Sequence, residues 1–273
     1  MNSGFRVDGD AYDDFMGRYS TLLARFADFA RIGSGMRVLD VGAGTGALTA
    51  ELVSRGASAA AADPSPEFVI AFRRRFPDVE VHEAPAEELP FGSGAFGVAL
   101  AQLVVAFVSD APAAVAEMAR VARRVAVCMW GVAEVDMFAA IDRAAVAIGA
   151  SNLSEPRRYR TPQEINDLLA PFGEIESAEL DVSAGYRDFD EFWQTLQRGV
   201  GPAGHWIASL DAEAHERAPG RAVPSARQPG RLVRAERTRL RRGSYARVST
   251  EERSAPVPTS VTSTSSSRST NST

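Results

Sequence analysis

Val38-Leu39-Asp40-Val41-Gly42-Ala43-Gly44-Thr45-Gly46 reads as a short apolar strand running directly into a glycine turn, and residues 47–56 continue as a helix ending on glycine. Glycines at such a turn let the chain reverse sharply and let a ligand lie against bare backbone. Downstream, residues 57–64 read as a second strand. Residues 64–76 read as a helix whose last turn holds Arg73, Arg74 and Arg75, which suits its dipole. Residues 79–84 and 95–103 form a third and a fourth strand pattern, 111–123 a helix and 124–130 a fifth strand. Strand and helix alternate from Met36 to Trp130, which predicts an α/β fold: a Rossmann-like, mostly parallel sheet with helices on both faces.

Upstream of the turn, Phe15, Tyr19, Leu22, Leu23, Phe26, Ala27 and Ala30 are spaced for one face of a helix over 11–31. After Trp130 the rhythm loosens. A helix is predicted over 135–148. The capping box Thr161-Pro162-Gln163-Glu164 opens another to about 170. Residues 174–182 read as a sixth strand, and 188–198 and 206–217 as helices. From Pro219 the composition turns to arginine, proline, serine and threonine, ending VTSTSSSRSTNST, and cannot bury enough apolar surface to offset its ordering entropy. The predicted organisation is a folded domain over 1–218, with its core in 11–131 and cap and C-terminal elements in 132–218. A low-complexity, disordered tail over 219–273 follows. Within that tail only RLVRAERTRL has a weak strand-like pattern, so a seventh strand has no clean segment of its own.

Two acids frame the turn. The spacing Gly42-x-Gly44-x-x-Ala47 also satisfies a dinucleotide fingerprint, so the glycines alone are ambiguous. Asp40, two residues before the first glycine, would repel a pyrophosphate and attract a ligand carrying a sulfonium and an ammonium group. A structural role for Asp40, capping the loop amides, is compatible with binding. Asp63 ends the second strand beside the turn, where a carboxylate can accept both ribose hydroxyls.

VLDVGAGTG, then AADP, APAEELPF and FGVALAQLVVAFVSD, in that order and spacing, resemble the class I S-adenosylmethionine-dependent methyltransferases, in particular the small-molecule branch with a ubiquinone/menaquinone-methyltransferase-like domain. The resemblance is strong over residues 37–130. It implies S-adenosylmethionine as cofactor and a small-molecule methyl acceptor. It further implies that Gly42, Gly44 and Gly46 wrap the methionine end, that Asp63 holds the ribose and that Ala86 and Glu87 lie beside the adenine. Gln102 would sit near the methyl-transfer face, and Asp40, Ala43 and Pro64 complete the cofactor set. The opening helix, with Tyr12, Arg18 and Tyr19, resembles a cap over cofactor and acceptor, and His205 beside Trp206 is a further pocket candidate. The chain departs from the family in having Gly97 where an acid usually follows the fourth strand's phenylalanine. It also runs Ala122-Arg123-Arg124-Val125 straight through the turn before the fifth strand, which is expected to tilt or shorten that strand.

Composition narrows the function classes. The only cysteine is Cys128, which excludes an intramolecular disulfide and a cysteine metal cluster and suits a reducing, cytoplasmic compartment. No metal-ligand spacing occurs. The acidic, polar N-terminus does not read as a signal peptide, and there is no apolar run of membrane-spanning length. Residues 219–273 carry eleven arginines against three acids, leaving the remainder net negative, which argues against a nucleic-acid face on the folded part. His82, His205 and His215 are scattered and no catalytic base is assigned. Trp130, Phe138, Phe192 and Trp193 read as core or pocket wall. A non-catalytic S-adenosylmethionine-binding relic and a nicotinamide-dependent oxidoreductase stay open as alternatives.

Overall fold

Apolar segments of five to nine residues, separated by helices, pair as parallel strands whose hydrogen bonds bury both faces. In the computed structural model, which describes residues 11, 14, 16–131, 158–187, 189–199, 204, 206–207 and 226–236, the elements follow one another as the alternation predicts. They are α1 (Ser20–Phe29), β1 (Arg37–Val41), α2 (Ala47–Ser54), β2 (Ser58–Asp63), α3 (Pro66–Arg75), β3 (Glu80–Glu83), β4 (Phe96–Gln102), α4 (Ala111–Val121) and β5 (Ala122–Trp130). Then come α5 (Pro162–Leu169), a 3-10 turn (Ala170–Phe172), β6 (Glu174–Ala184), α6 (Phe189–Gln197) and β7 (Ala226–Glu236). All of these lie in a unit spanning Met1–Thr238; a second unit, Arg239–Thr273, falls outside the described residues.

The sheet has the order β3-β2-β1-β4-β5-β7-β6. The first five are mutually parallel, and β7 is inserted antiparallel between β5 and β6. Strand order reverses between β1 and β4, so the crevice beyond their carboxyl ends is the place where a fold of this kind binds ligands. One face packs Leu22, Phe26, Leu48, Leu52, Val98, Leu100 and Cys128 with Phe192 and Leu196 of α6. The other packs Leu39, Val41, Ala99, Val127 and Met129 against α4 and α5.

Three local outcomes differ from the sequence reading or add to it. The helix expected over 11–31 is interrupted: Arg18 and Tyr19 form a turn and α1 starts at Ser20, with Gly17 just before the break lowering helix propensity there. The direct junction from α4 into β5 does not shorten the fifth strand. Ala122 leaves the helix extended (φ −131°, ψ 157°), and β5 runs nine residues, pairing with β4 from Phe96↔Ala122 to Gln102↔Cys128. Finally, the seventh strand forms inside the arginine-rich segment, overlapping the weak strand-like pattern. Register sets Arg234 opposite Glu176 and Arg231 opposite Glu179. Pro229 is tolerated because β5 ends opposite Gly230, leaving Pro229 only β6 as a neighbour. Apart from β7, the tail assigned to 219–273 lies outside the described residues, as do the helix expected over 135–148, Phe138, and all but 206–207 of the helix expected over 206–217.

Candidate functional site

The glycine turn is built by backbone that side chains could not occupy. Gly42, Gly44 and Gly46 have φ of +69°, +56° and +92°. A Cβ on Gly42 would come within 2.5 Å of Val104 Cγ2, and one on Gly46 within 2.4 Å of the Phe76 ring. Gly42 and Ala43 each donate their N–H to the carbonyl of Ala62, at 2.8 and 3.2 Å, which pins the turn to the end of β2. Packing against Val104 and Phe76 together with positive φ thus requires glycine at positions 42 and 46 and holds the turn tight against the ends of the strands.

Both acids are buried under this turn. Asp63, 6% exposed, accepts from the N–H of Gly44 at 2.8 Å on one oxygen and from that of Ser65 at 2.9 Å on the other. Burial raises its pKa and these two donors pull it back. A carboxylate has about four acceptor positions, so room remains on Asp63 for ligand hydroxyls. Asp40, 1% exposed, accepts the hydroxyl of Thr49 of α2 at 2.7 Å in place of the loop amides. Burial, opposed by the Thr49 bond and reinforced by the nearby Asp63 charge, lifts its pKa from 3.8 to about 7. Pro64 follows Asp63 at the entry to α3, where the Ser65 hydroxyl caps the N–H of Phe68.

Ala86 is buried and packs with the core that includes Leu39 and Val41. Glu87 turns to the neighbouring loop: one carboxylate oxygen accepts from the N–H groups of Ser109 at 2.8 Å and Asp110 at 3.1 Å. The segment carrying Glu87 is tied to α4 as well. Arg120 of α4 donates to the carbonyls of Leu89 and Phe91, and Glu117 accepts from the N–H of Leu89. Cys128, buried within β5, has its thiol pKa pushed up by desolvation, as suits a packed hydrophobe.

Gln102 ends β4 opposite Cys128. Its Oε1 is buried and has no hydrogen-bond partner among the described residues, a state that costs about 1–3 kcal/mol unless something donates to it. The next residue, Leu103, has φ +59°, a strained conformation for leucine of the kind that collects at functional sites. Sequence reasoning did not single out Leu103 or Val104, and no signal in the sequence marks a leucine for positive φ.

On the β5–β6 side the structure brings Arg18 and Tyr19 together with a residue the sequence reading missed, Tyr186. Tyr19 is fully buried and meets Trp130 edge-on, with centroids 5.1 Å apart. Desolvation raises its pKa, with Tyr186 adding to the rise. Arg18 lies 4.6 Å over the Tyr186 ring, donates to the carbonyl of Gly185 at 3.0 Å and pairs with Glu191 at 3.1 Å and Asp14 at 3.6 Å. Tyr12 and His205 lie outside the described residues. His82 is paired with Glu80 at 2.8 Å and packs on Phe91, away from the turn. Among the described residues no group of His, Cys, Asp and Glu is placed to hold a metal, and no helix is long and apolar enough to cross a membrane.

Known proteins match the same segment. Residues 39–129 fit the family model described as a methyltransferase domain. An uncharacterized methyltransferase of Mycobacterium tuberculosis is 40% identical over 87 residues, 32% of this chain and 35% of that protein. A demethylmenaquinone methyltransferase of Beutenbergia cavernae is 38% identical over 89 residues, 33% of this chain and 37% of that protein. The chain thus spans about a third of the length of these curated relatives. Among solved structures, the MccD protein superposes with a TM-score of 0.56 at 16% identity, over 79% of this chain and 96% of that one. The phosphoethanolamine N-methyltransferase 2 of Haemonchus contortus in complex with S-adenosyl-L-methionine gives 0.54 at 15%, over 84% and 56%. These structural likenesses show the fold.

Proposed function

We propose that this chain, whose residues 39–129 match a methyltransferase-domain family model, is a class I S-adenosylmethionine-dependent methyltransferase that transfers a methyl group to a small-molecule acceptor in the cytoplasm. The observation that carries this reading is the tight glycine turn held against two buried carboxylates at the point where strand order reverses. S-adenosylmethionine, when bound, supplies a methyl group already activated on a cationic sulfur, so that in-line displacement needs alignment and exclusion of water more than acid–base chemistry.

The chain's residues divide that task. Gly42, Ala43, Gly44 and Gly46 hold the methionine end against backbone, and the unused acceptor positions of Asp63 take the ribose hydroxyls, with Pro64 setting the turn beside it. Ala86 and Glu87 bound the adenine, Glu87 by fixing its loop to Ser109 and Asp110. Asp40 sets a negative charge below the turn that favours a cation over a pyrophosphate. A cationic ligand would in turn favour its ionised form. Gln102 faces the transfer side, and Arg18 and Tyr19, with Tyr12 and His205, wall the acceptor. No residue is assigned as base. The nine-residue β5 supports the catalytic reading over a non-catalytic relic.

Calorimetric titration tests the reading. S-adenosylmethionine and S-adenosylhomocysteine are expected to bind in the micromolar range and NAD not at all. Asp63→Ala, which removes a hydrogen-bonded carboxylate, is expected to weaken the adenosyl ligands by about 100-fold. Binding of NAD without the adenosyl ligands would overturn it.

A further inference from the structure

Leu103 is left-handed (φ +59°) at a place where no helix ends. Arg31, left-handed as well at φ +54°, closes α1: its N–H donates to the Asp28 carbonyl at 2.8 Å and that of Ile32 to the Ala27 carbonyl at 3.0 Å. Leu103 has no helix to close. The conformation costs a side-chain-bearing residue about 1–2 kcal/mol, so its surroundings must impose it. Its N–H donates to the Cys128 carbonyl at 2.7 Å, which ties the end of β4 to β5.

The left-handed residue shifts the pleat. Along β4, Val98 and Leu100 pack in the core that holds Leu22 and Phe26, whereas Ala99 and Ala101 pack in the core that holds Leu39. Unbroken alternation would carry Leu103 to the face of Ala101 and Val104 to the face of Leu100. Instead Leu103 packs with the first core and Val104 with the second. Val104 thereby comes to rest on Gly42, its Cγ2 2.5 Å from the position a Gly42 Cβ would take. The chain then turns, with the Phe107 N–H donating to the Val104 carbonyl at 2.8 Å, and the Ser109 and Asp110 amides reach the Glu87 carboxylate. Asp110 goes on to cap α4, accepting from the Ala113 N–H at 3.0 Å.

We propose that Leu103 is a positioning residue for the cofactor site and that it acts through its backbone, seating Val104 on Gly42 and delivering the amides of residues 109 and 110 to Glu87. One loop, 103–110, then holds both the glycine turn and the segment carrying Glu87 in their binding arrangement. The proposal rests on the cofactor reading above and deepens it. Hydrogen bonds to Ala62 fix the turn to β2, and Val104 supplies its contact with the chain leaving β4. Glycine backbone has more conformations open to it than any other, so a turn this rich in glycine keeps one geometry only where its neighbours enforce it. The Leu103 side chain has no part in that enforcement: it packs in the other core, away from Val104.

A backbone role and a packing role predict opposite orders for two substitutions. Asparagine is polar but tolerates the left-handed region, whereas valine stays apolar but its β-branch resists it. S-adenosylhomocysteine is titrated into the full chain carrying Leu103→Asn, Leu103→Val or Val104→Ala, each first shown to melt cooperatively above the titration temperature. Leu103→Asn is expected to bind within about twofold of wild type and Leu103→Val about tenfold more weakly. Val104→Ala, which removes the contact with Gly42 and leaves Leu103 untouched, is expected to lose about fivefold. It carries the test alone should Leu103→Val fail to fold. Wild-type affinity in Leu103→Val or in Val104→Ala, or weaker binding in Leu103→Asn than in Leu103→Val, overturns the proposal and leaves the cofactor reading intact. Failure of S-adenosylhomocysteine to bind the wild-type chain overturns the cofactor reading, and this proposal with it.

Discussion

At the β1–β2 side of the crevice, Asp63 accepts two backbone N–H groups and Asp40 a threonine hydroxyl. At the β4–β5–β6 side, Gln102, Tyr186 and Arg18 each leave a buried polar atom without a partner among the described residues. On the first side each buried carboxylate already has a donor from the fold, with acceptor positions on Asp63 left over. Its buried charges are held by the fold itself, so it can be preorganised for a ligand that does not vary. The second is incomplete by the same accounting.

The largest expected effect falls on the first side. In Gly46→Ala the new methyl group would meet Phe76 at 2.4 Å from a backbone φ of +92°. Strain and overpacking of about 1–3 kcal/mol each should lower the melting temperature by about 10 °C and abolish S-adenosylhomocysteine binding. A melting temperature within about two degrees of wild type would show that the turn is not held as described.

Next in size is a pH effect. The Asp40 carboxyl has a pKa of about 7 in the folded chain, against an ordinary value of 3.8. Between those values the folded state holds a proton that the unfolded state releases, so this contribution is fully present below about pH 4 and is lost as pH rises through 7. Asp63 is shifted in the same direction, so the wild type must be compared with Asp40→Asn. Thermal melts from about pH 4.5 to 7.5 should show the wild type losing about 5 °C relative to the variant. Parallel curves would mean that Asp40 is ionised throughout.

The smallest effect concerns the link between the two sides. Glu87→Ala frees the Ser109 and Asp110 amides and should raise the S-adenosylhomocysteine dissociation constant about threefold to tenfold, with little change in melting temperature. Titration and melting on one preparation separate those readouts.

The sheet was legible because strand and helix periods are local. Each of β1 to β6 overlaps the apolar run that announced it. The Thr161–Glu164 capping box forms as its four residues imply, with Thr161 Oγ1 accepting from Glu164 N–H at 3.2 Å and Glu164 accepting from Thr161 N–H at 2.9 Å. β7 was faint because its alternation is diluted by arginines and broken by Pro229-Gly230. It pairs between β5 and β6, both far away in the chain. Glu87 was visible as a member of the site, whereas its hold on two amides 22 and 23 residues away was not.

Backbone sterics and hydrophobic period act over a few residues, so the order of elements, the glycine turn and the two acids beside it could be read directly from the chain. Packing alone set where those acids direct their oxygens, put Leu103 at positive φ, and joined Tyr186 to Arg18 and Tyr19 from a distant part of the chain. Burial creates those outcomes. A polar atom's need for a partner arises only once water is excluded, and which atoms lose water is a property of the packed fold.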